Sequence, residues 1–458
     1  MEKISGSALF TDLYELTMAA SFFENRMFEP ATFSLFIRDY PPGRRYFVAA
    51  GLADVLEYLE NLKFTPQDLE YLEKTGRFTP EFLSYLENFR FRGDVHAIPE
   101  GRLFFVNEPL LEVSASLIEA QVIETVVINA AHLQVMIATK ASRCVHAAWP
   151  RNLVDFSLRR THGTDAGMKV ARASTIGGFT GTSNVLAGKV YGIPVFGTMA
   201  HSFIQSFENE IDAFRAFART FPENVVLLVD TYDTLSGARI AAQVGQEMGR
   251  EGKKLKGVRL DSGNIARLSQ STRQILQKAG LGEATIFASG GFDEYKIQDV
   301  LSRGGDVDSF GVGTKMGVSA DAPYFDMAYK LVQYAGRPVL KLSSGKETLA
   351  SEKQVFRFKT SKNKLKKDII GLRDDDFNEG EPLLKKVMRN GKTTVKLPPL
   401  TRIREFFLDE FSCLDEKYKT IKDGEGDYPV EISPRLKDIQ NQVVRQLRMA
   451  SKGKTGKN

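Results

Sequence analysis

The chain has 458 residues, 42% hydrophobic and 26% charged, the balance of a globular protein large enough for more than one domain. A net charge of +5 suits anionic small molecules and does not call for nucleic acid. Cys144 and Cys413 match no metal-ligand spacing and indicate a reducing, cytoplasmic setting, and no apolar run has the length of a transmembrane helix.

The opening stretch "MEKISGSALFTDLYELTMAASFF" carries acids and no long apolar core, so it is not read as a signal peptide. Residues 1–149 mix helical patterns ("GLADVLEYLENL", "TPEFLSYLENF") with strand-like ones ("ATFSLFIR", "RLFFVNEPLLEVSAS"). Residues 119–142 predict one long, mostly buried helix leading into the next domain.

Over 150–335 seven apolar, β-branched runs alternate with amphipathic stretches: "NLVDFSL", "GGFTGTS", "GIPVFGT", "NVVLLVDT", "KGVRLDS", "ATIFASGG" and "VDSFGVGT". That alternation predicts a parallel sheet covered on both faces. Both a doubly wound open sheet and a closed α/β barrel fit. Polar residues at the end of every run favour the barrel, which gathers all strand C-termini around one mouth. Over 336–440 strands return ("RPVLKLS", "KQVFRFK"), with the basic "KTSKNKLKKD" read as a solvated loop. A helical "SPRLKDIQNQVVRQLRMA" follows, and 441–458 is expected as a disordered basic tail.

The mouth would then hold three capacities. Ser289, Gly290 and Gly291, with Gly311, Gly313 and Thr314, end the last two runs and offer unobstructed backbone N–H groups to a phosphate. Asp230, Asp233 and Asp261 could hold ribose hydroxyls or Mg²⁺; an Asp at a strand end can instead cap the next helix, and for Asp233 that reading is an equal match. Arg159 and Arg259 can grip a carboxylate or phosphate through two N–H groups, or serve as rim salt bridges. His201, a few residues past the third run, faces the same mouth as a candidate general base or phosphoryl acceptor. His96, His132 and His146 read as structural, and His162 stays open.

The set "TDLYELTMA", "DFSLRRTHG", "GTSNVLAG", "GTMAHSF", "VDTYDT", "GVRLDSGN", "FASGGFDE" and "DSFGVGTKM" closely resembles the nicotinate phosphoribosyltransferase family, in the family's order, from about residue 8 to about 360. The resemblance implies an irregular seven-stranded α/β barrel with an α/β domain built from both chain ends. It implies transfer of nicotinate onto 5-phosphoribosyl 1-diphosphate with Mg²⁺, and ATP hydrolysis coupled through a phosphorylated histidine, which by motif is His201. It further implies that Tyr14 stacks on the pyridine ring from a neighbouring subunit of a homodimer, with Phe156 on the other face. Thr198, Arg259 and Arg159 would meet nicotinate, Asp261 would lie near the ribose and ring, and Ser289, Gly290, Gly291, Gly311, Gly313 and Thr314 would take the 5-phosphate. Asp230 and Asp233 are the metal candidates; neither a membrane nor a nucleic acid is implied. Rival readings are a nicotinamide-using relative, whose acid in the "GTSN" turn is here Ser183 or Asn184, a quinolinate-using enzyme, and a catalytically silent nucleotide-binding regulator.

Overall fold

The computed structural model of the chain describes residues 7–343, 347–422, 424 and 426–454. It divides into one unit of Met1–Met136 with Tyr324–Asn458 and a second of Ile137–Pro323.

The first unit interleaves both chain ends in a seven-stranded antiparallel sheet, ordered Arg337–Pro338, Met327–Tyr334, Pro30–Ile37, Leu111–Ser116, Asp94–Ala97, Lys385–Arg389, Lys392–Thr393. Pro30–Ile37 lies between two partners and is buried on both faces after its first residue, which is why "ATFSLFI" shows no clean alternation. Phe33 of this strand stacks on Tyr329 of its neighbour, ring centroids 4.9 Å apart. Because Met327–Tyr334 pairs there, the chain leaves the second unit at Pro323, not at 335 as the sequence suggested.

A smaller sheet orders Glu381–Pro382, Lys353–Lys359, Leu365–Leu372 and Val430–Ile432. The basic segment expected as a solvated loop forms the tip of a hairpin, where residues 359–364 and Lys366 face water while Leu365 and Asp368 are buried. Its Arg357 is fully buried, 2.6 Å from Asp368 and 3.0 Å from Glu410. Removing it leaves buried Asp368 without its cation and with the Tyr428 hydroxyl at 3.1 Å, while Glu410 keeps Arg102 at 2.8 Å. Arg357→Ala is therefore expected to cost about 3–5 kcal/mol in urea unfolding. A cost below about 1 kcal/mol would show that the carboxylates find other partners.

The last helix, Pro434–Lys454, matches the helical reading of "SPRLKDIQNQVVRQLRMA" and runs on into the tail expected to be disordered. Leu436 and Val443, seven residues apart, are buried on one face, and Ser433 Oγ accepts the Leu436 N–H at 3.2 Å. Residues 455–458 lie outside the described residues. The helix expected over 119–142 is two, Leu117–Val122 and Glu124–Ala148, and a run buried on nearly every side gives no periodic sign of the break. Cys144 and Cys413 are free and buried, and no helix among the described residues is long and apolar enough to cross a membrane.

The second unit is α/β around a six-stranded parallel sheet, ordered Gly181–Thr182, Asn152–Asp155, Ser309–Val312, Thr285–Ala288, Gly257–Leu260, Val226–Leu228. Six of the seven apolar runs are its strands. The third supplies only a bridge from Val195 to Thr182, and no ladder joins it to Val226–Leu228. Pro194 lacks an N–H, and Val195 and Phe196 are exposed, so this run pairs poorly. Taken in chain order the runs lie 3-2-1-7-6-5-4, the order of a ring left unclosed between the third and fourth. The unit begins at Ile137 rather than 150 because Lys140 and Arg143 are tied to Glu294, at 2.6 and 2.8 Å.

Candidate active site

Parallel pairing puts all strand C-termini on one edge. Leu228 lies opposite Arg259, Arg259 opposite Phe287, and Phe287 opposite Ser309. The residues just beyond these pairs therefore share one rim.

Arg259 is the centre of that rim. Its Nε donates to Ser289 Oγ at 2.8 Å and its Nη2 to Asp261 Oδ1 at 2.7 Å. Its Nη1 donates to Thr198 Oγ1 and to the Met199 carbonyl, both at 3.3 Å. Four of the five guanidinium N–H groups are thus engaged, so the two-pronged grip that the sequence allowed reduces to one free Nη2–H and the positive charge. Phe156 lies under the guanidinium at 5.5 Å and against Phe287 at 5.5 Å. Ser289 also donates to Asp261. Burial pushes the Asp261 carboxyl up, but the Ser289 hydroxyl and the Arg259 charge outweigh it and hold the group below its ordinary value.

His201 opens the short helix His201–Gln205 and is half-exposed. Its Nδ1 lies 3.1 Å from Thr231 Oγ1 and its Nε2 3.9 Å from Asp261 Oδ2. A carboxylate on the Nε2 side favours a proton there, which leaves Nδ1 to accept from the Thr231 hydroxyl. Thr231 was not singled out in the sequence, although it sits in the quoted "VDTYDT" run.

The two glycine loops have different physical reasons. Gly290 has φ +96°, and a Cβ there would sit 1.8 Å from the Asp261 carbonyl, so only glycine fits. Gly311 is a packing glycine: a Cβ would meet the Phe156 ring at 2.8 Å. Among the described residues no hydrogen bond takes up the N–H groups of Gly290, Gly291, Gly313 or Thr314. The helix Glu294–Ser302 that follows is already capped by Asp293, which accepts the Lys296 N–H at 2.8 Å. Anion capacity at this rim therefore rests on the loop N–H groups and not on that helix end.

The acids divide. Asp230 Oδ2 accepts from the Asp261 N–H at 3.0 Å and from Ser262 Oγ at 2.5 Å, while its Oδ1 is buried without a partner. Asp233 instead caps the helix Thr234–Arg250, accepting the Ser236 N–H at 2.8 Å, and the Ser236 hydroxyl, then that N–H, hold its carboxyl low. Glu210, unmarked in the sequence, has a buried Oε1 without a partner; burial, then the charges of Asp230 and Asp233, push its carboxyl up. Among the described residues no cluster of three or more metal-ligating side chains exists. Two orphaned carboxylate oxygens fit Mg²⁺, which keeps several waters and takes substrate oxygens for the rest.

Arg159 sits in an exposed turn, Leu158–Arg160, with no ion pair among the described residues. Asn184 is spent on the Ala187 N–H at 3.1 Å and the Gly167 carbonyl at 3.2 Å, which leaves Ser183 as the available side chain of that turn. Tyr14 belongs to the first unit, on the helix Leu13–Glu24 beside exposed Phe10, Leu13 and Met18. His132 accepts the Phe325 N–H at 2.9 Å, a structural role, and burial pushes His96 down to about 4. His162 is exposed.

Residues 9–131 match the sequence model of the nicotinate phosphoribosyltransferase N-terminal domain, 151–368 that of the nicotinate phosphoribosyltransferase family, and 376–440 that of its C-terminal domain. A nicotinate phosphoribosyltransferase of Mycobacterium tuberculosis is 47% identical over 430 residues, covering 94% of this chain and 92% of that one. One of Bacillus subtilis is 36% identical, covering 96% and 97%. The solved structure of human nicotinic acid phosphoribosyltransferase superposes with TM-score 0.84 at 28% identity, covering 94% of this chain and 99% of that one.

Proposed function

The chain belongs to the nicotinate phosphoribosyltransferase family, and from that premise we propose how its own residues serve the reaction. The protein joins nicotinate and 5-phosphoribosyl 1-diphosphate into nicotinate mononucleotide and diphosphate, a step of NAD biosynthesis. The observation that carries the assignment of roles is the network of Arg259, Asp261, Ser289 and Thr198 beside His201.

The pyridine nitrogen of nicotinate attacks C1 of the ribose as the bond to diphosphate breaks, through an oxocarbenium-like state. Asp261, kept ionised, lies where positive charge develops on the ribose. Arg259 offers its free Nη2–H and its charge to the nicotinate carboxylate, and Phe156 beneath it supplies an aromatic face that orients the ring. Gly290, Gly291, Gly313 and Thr314 bind the 5-phosphate through backbone N–H groups, with Gly311 admitting Phe156. Asp230 and Glu210 would hold Mg²⁺ through water, and when bound the ion neutralises the leaving diphosphate. His201 attacks the γ-phosphorus of ATP, releasing ADP, and the phosphohistidine later yields its phosphoryl group to water. The phosphorylated ring places an anion beside the diphosphate site and biases loops there. Free buried cysteines suit the reducing cytoplasm.

We place Tyr14 in the site of a second copy, on the support of its exposed apolar face with Phe10, Leu13 and Met18. Inactive Tyr14→Ala chains and His201→Ala chains that have lost ATP-coupled synthesis, mixed under exchange, are then expected to recover roughly a quarter of wild-type ATP-coupled activity, since one in two sites of a mixed dimer is intact. No recovery, with exchange verified by a mass tag, would remove Tyr14 from the partner's site.

A further inference from the structure

The glycine loops carry two lysines that the roles above leave unassigned. Lys315 follows Thr314, and its half-exposed ammonium lies 2.7 Å from Asp293 Oδ2. Asp293 uses its other oxygen to cap the helix Glu294–Ser302. Lys296 returns its ammonium to the Gly290 carbonyl at 2.6 Å and lies over the Phe292 ring at 4.6 Å. Burial, and then the neighbouring Lys315 charge, push Lys296 below its ordinary value. Two ammonium groups thus converge on loops with free N–H groups, against Asp293, already shared with a helix end, and Asp261, whose charge bears on Lys296.

We propose, resting on the phosphate reading of these loops, that Lys315 is the side-chain cation for the 5-phosphate, that Asp293 is its resting counter-ion, given up when phosphate arrives, and that Lys296 positions the turn at Gly290 and Gly291. A phosphate dianion outbids a single carboxylate for an ammonium. Lys315 can make that exchange because its stem is partly exposed and its charge is a compact point on rotatable bonds. Lys296 cannot, because the Gly290 carbonyl and the Phe292 face hold it. Its role is to set the direction of the Gly290 and Gly291 N–H groups.

The test is calorimetric titration with 5-phosphoribosyl 1-diphosphate, alongside steady-state kinetics. Lys315→Ala is expected to weaken binding roughly 10- to 100-fold. It should raise KM for this substrate while kcat and the KM for nicotinate stay near wild type, and Lys315→Arg should restore most of the loss. Asp293→Asn keeps a capping side chain and frees Lys315, so it should tighten binding several-fold. That gain should vanish in the Lys315→Ala background, because the two residues act as a pair. Lys296→Met should also raise KM for the phosphoribosyl substrate alone. Binding by Lys315→Ala within twofold of wild type, or a gain from Asp293→Asn that survives in the double variant, overturns the exchange; an unchanged Lys296→Met overturns the positioning. Thr314→Glu separates the two levels. A carboxylate in the loop repels phosphate, so wild-type binding by that variant sinks the phosphate reading itself, whereas its loss beside an unaffected Lys315→Ala sinks only the lysine assignment.

Discussion

Replacing His201 with asparagine is expected to remove acid-labile, base-stable label from γ-labelled ATP and to lower ATP hydrolysis by at least on the order of 10³-fold, the scale for losing a nucleophile. The geometry limits what else changes. His201 is half-exposed and its one close partner is the Thr231 hydroxyl at 3.1 Å, so the variant should unfold at nearly the wild-type temperature. Asp261 stands 3.9 Å from the imidazole and keeps its hydrogen bonds to Arg259 and Ser289, so the transfer site stays assembled. Slow mononucleotide synthesis without ATP turnover is therefore expected to survive. Thr231→Val should retain label at a reduced rate, since the hydroxyl orients the ring without accepting the phosphoryl group. Label persisting in His201→Asn would assign the phosphoryl group to another residue.

Much of this site was legible in the sequence because a parallel sheet converts linear position into shared location. Arg259, Asp261 and Ser289 lie in or just after apolar runs, and strand pairing brings them to one rim; His201, 88 residues before Ser289, follows the run that pairs poorly and joins them through its approach to Asp261. What the runs could not show is how side chains divide their bonds. For Asp233 the helix cap stood as an equal alternative, and the backbone path after the strand makes it one while leaving Asp230 with a buried, unpartnered oxygen. Glu210 gave no signal, because it lies at the start of an ordinary amphipathic helix and becomes notable only through its neighbours. The third run failed as a strand for a reason visible in the letters, the proline at 194. The helix near the C-terminus was legible, and what the many charges hid is that it runs on to Lys454.

Preference for the ring acid over its amide should collapse in Arg259→Ala. Nicotinate is an anion at neutral pH and nicotinamide is not, so the charge and the free Nη2–H of Arg259 favour the acid alone. No acid stands in the opposing turn to favour the amide, because Ser183 carries no charge and Asn184 is spent on the backbone. The lost charge-assisted bond is worth roughly 1.5–3 kcal/mol, or on the order of 10- to 100-fold in the ratio of kcat/KM for the two substrates. Arg259→Lys should recover little of it, since one ammonium cannot reach Ser289, Thr198, the Met199 carbonyl and Asp261 together. A pH effect follows with a definite sign. In the wild type, burial raises the Asp261 carboxyl but Ser289 and Arg259 bring it below its ordinary value, so the ionised form is lost only well into acid. Without the guanidinium the balance moves toward burial, and the acidic limb of kcat/KM should shift to higher pH. A ratio unchanged by Arg259→Ala, with both substrates slowed alike, would make Arg259 a scaffold for Asp261 and Ser289 and move the carboxylate contact elsewhere, with the unpaired Arg159 next to be tested.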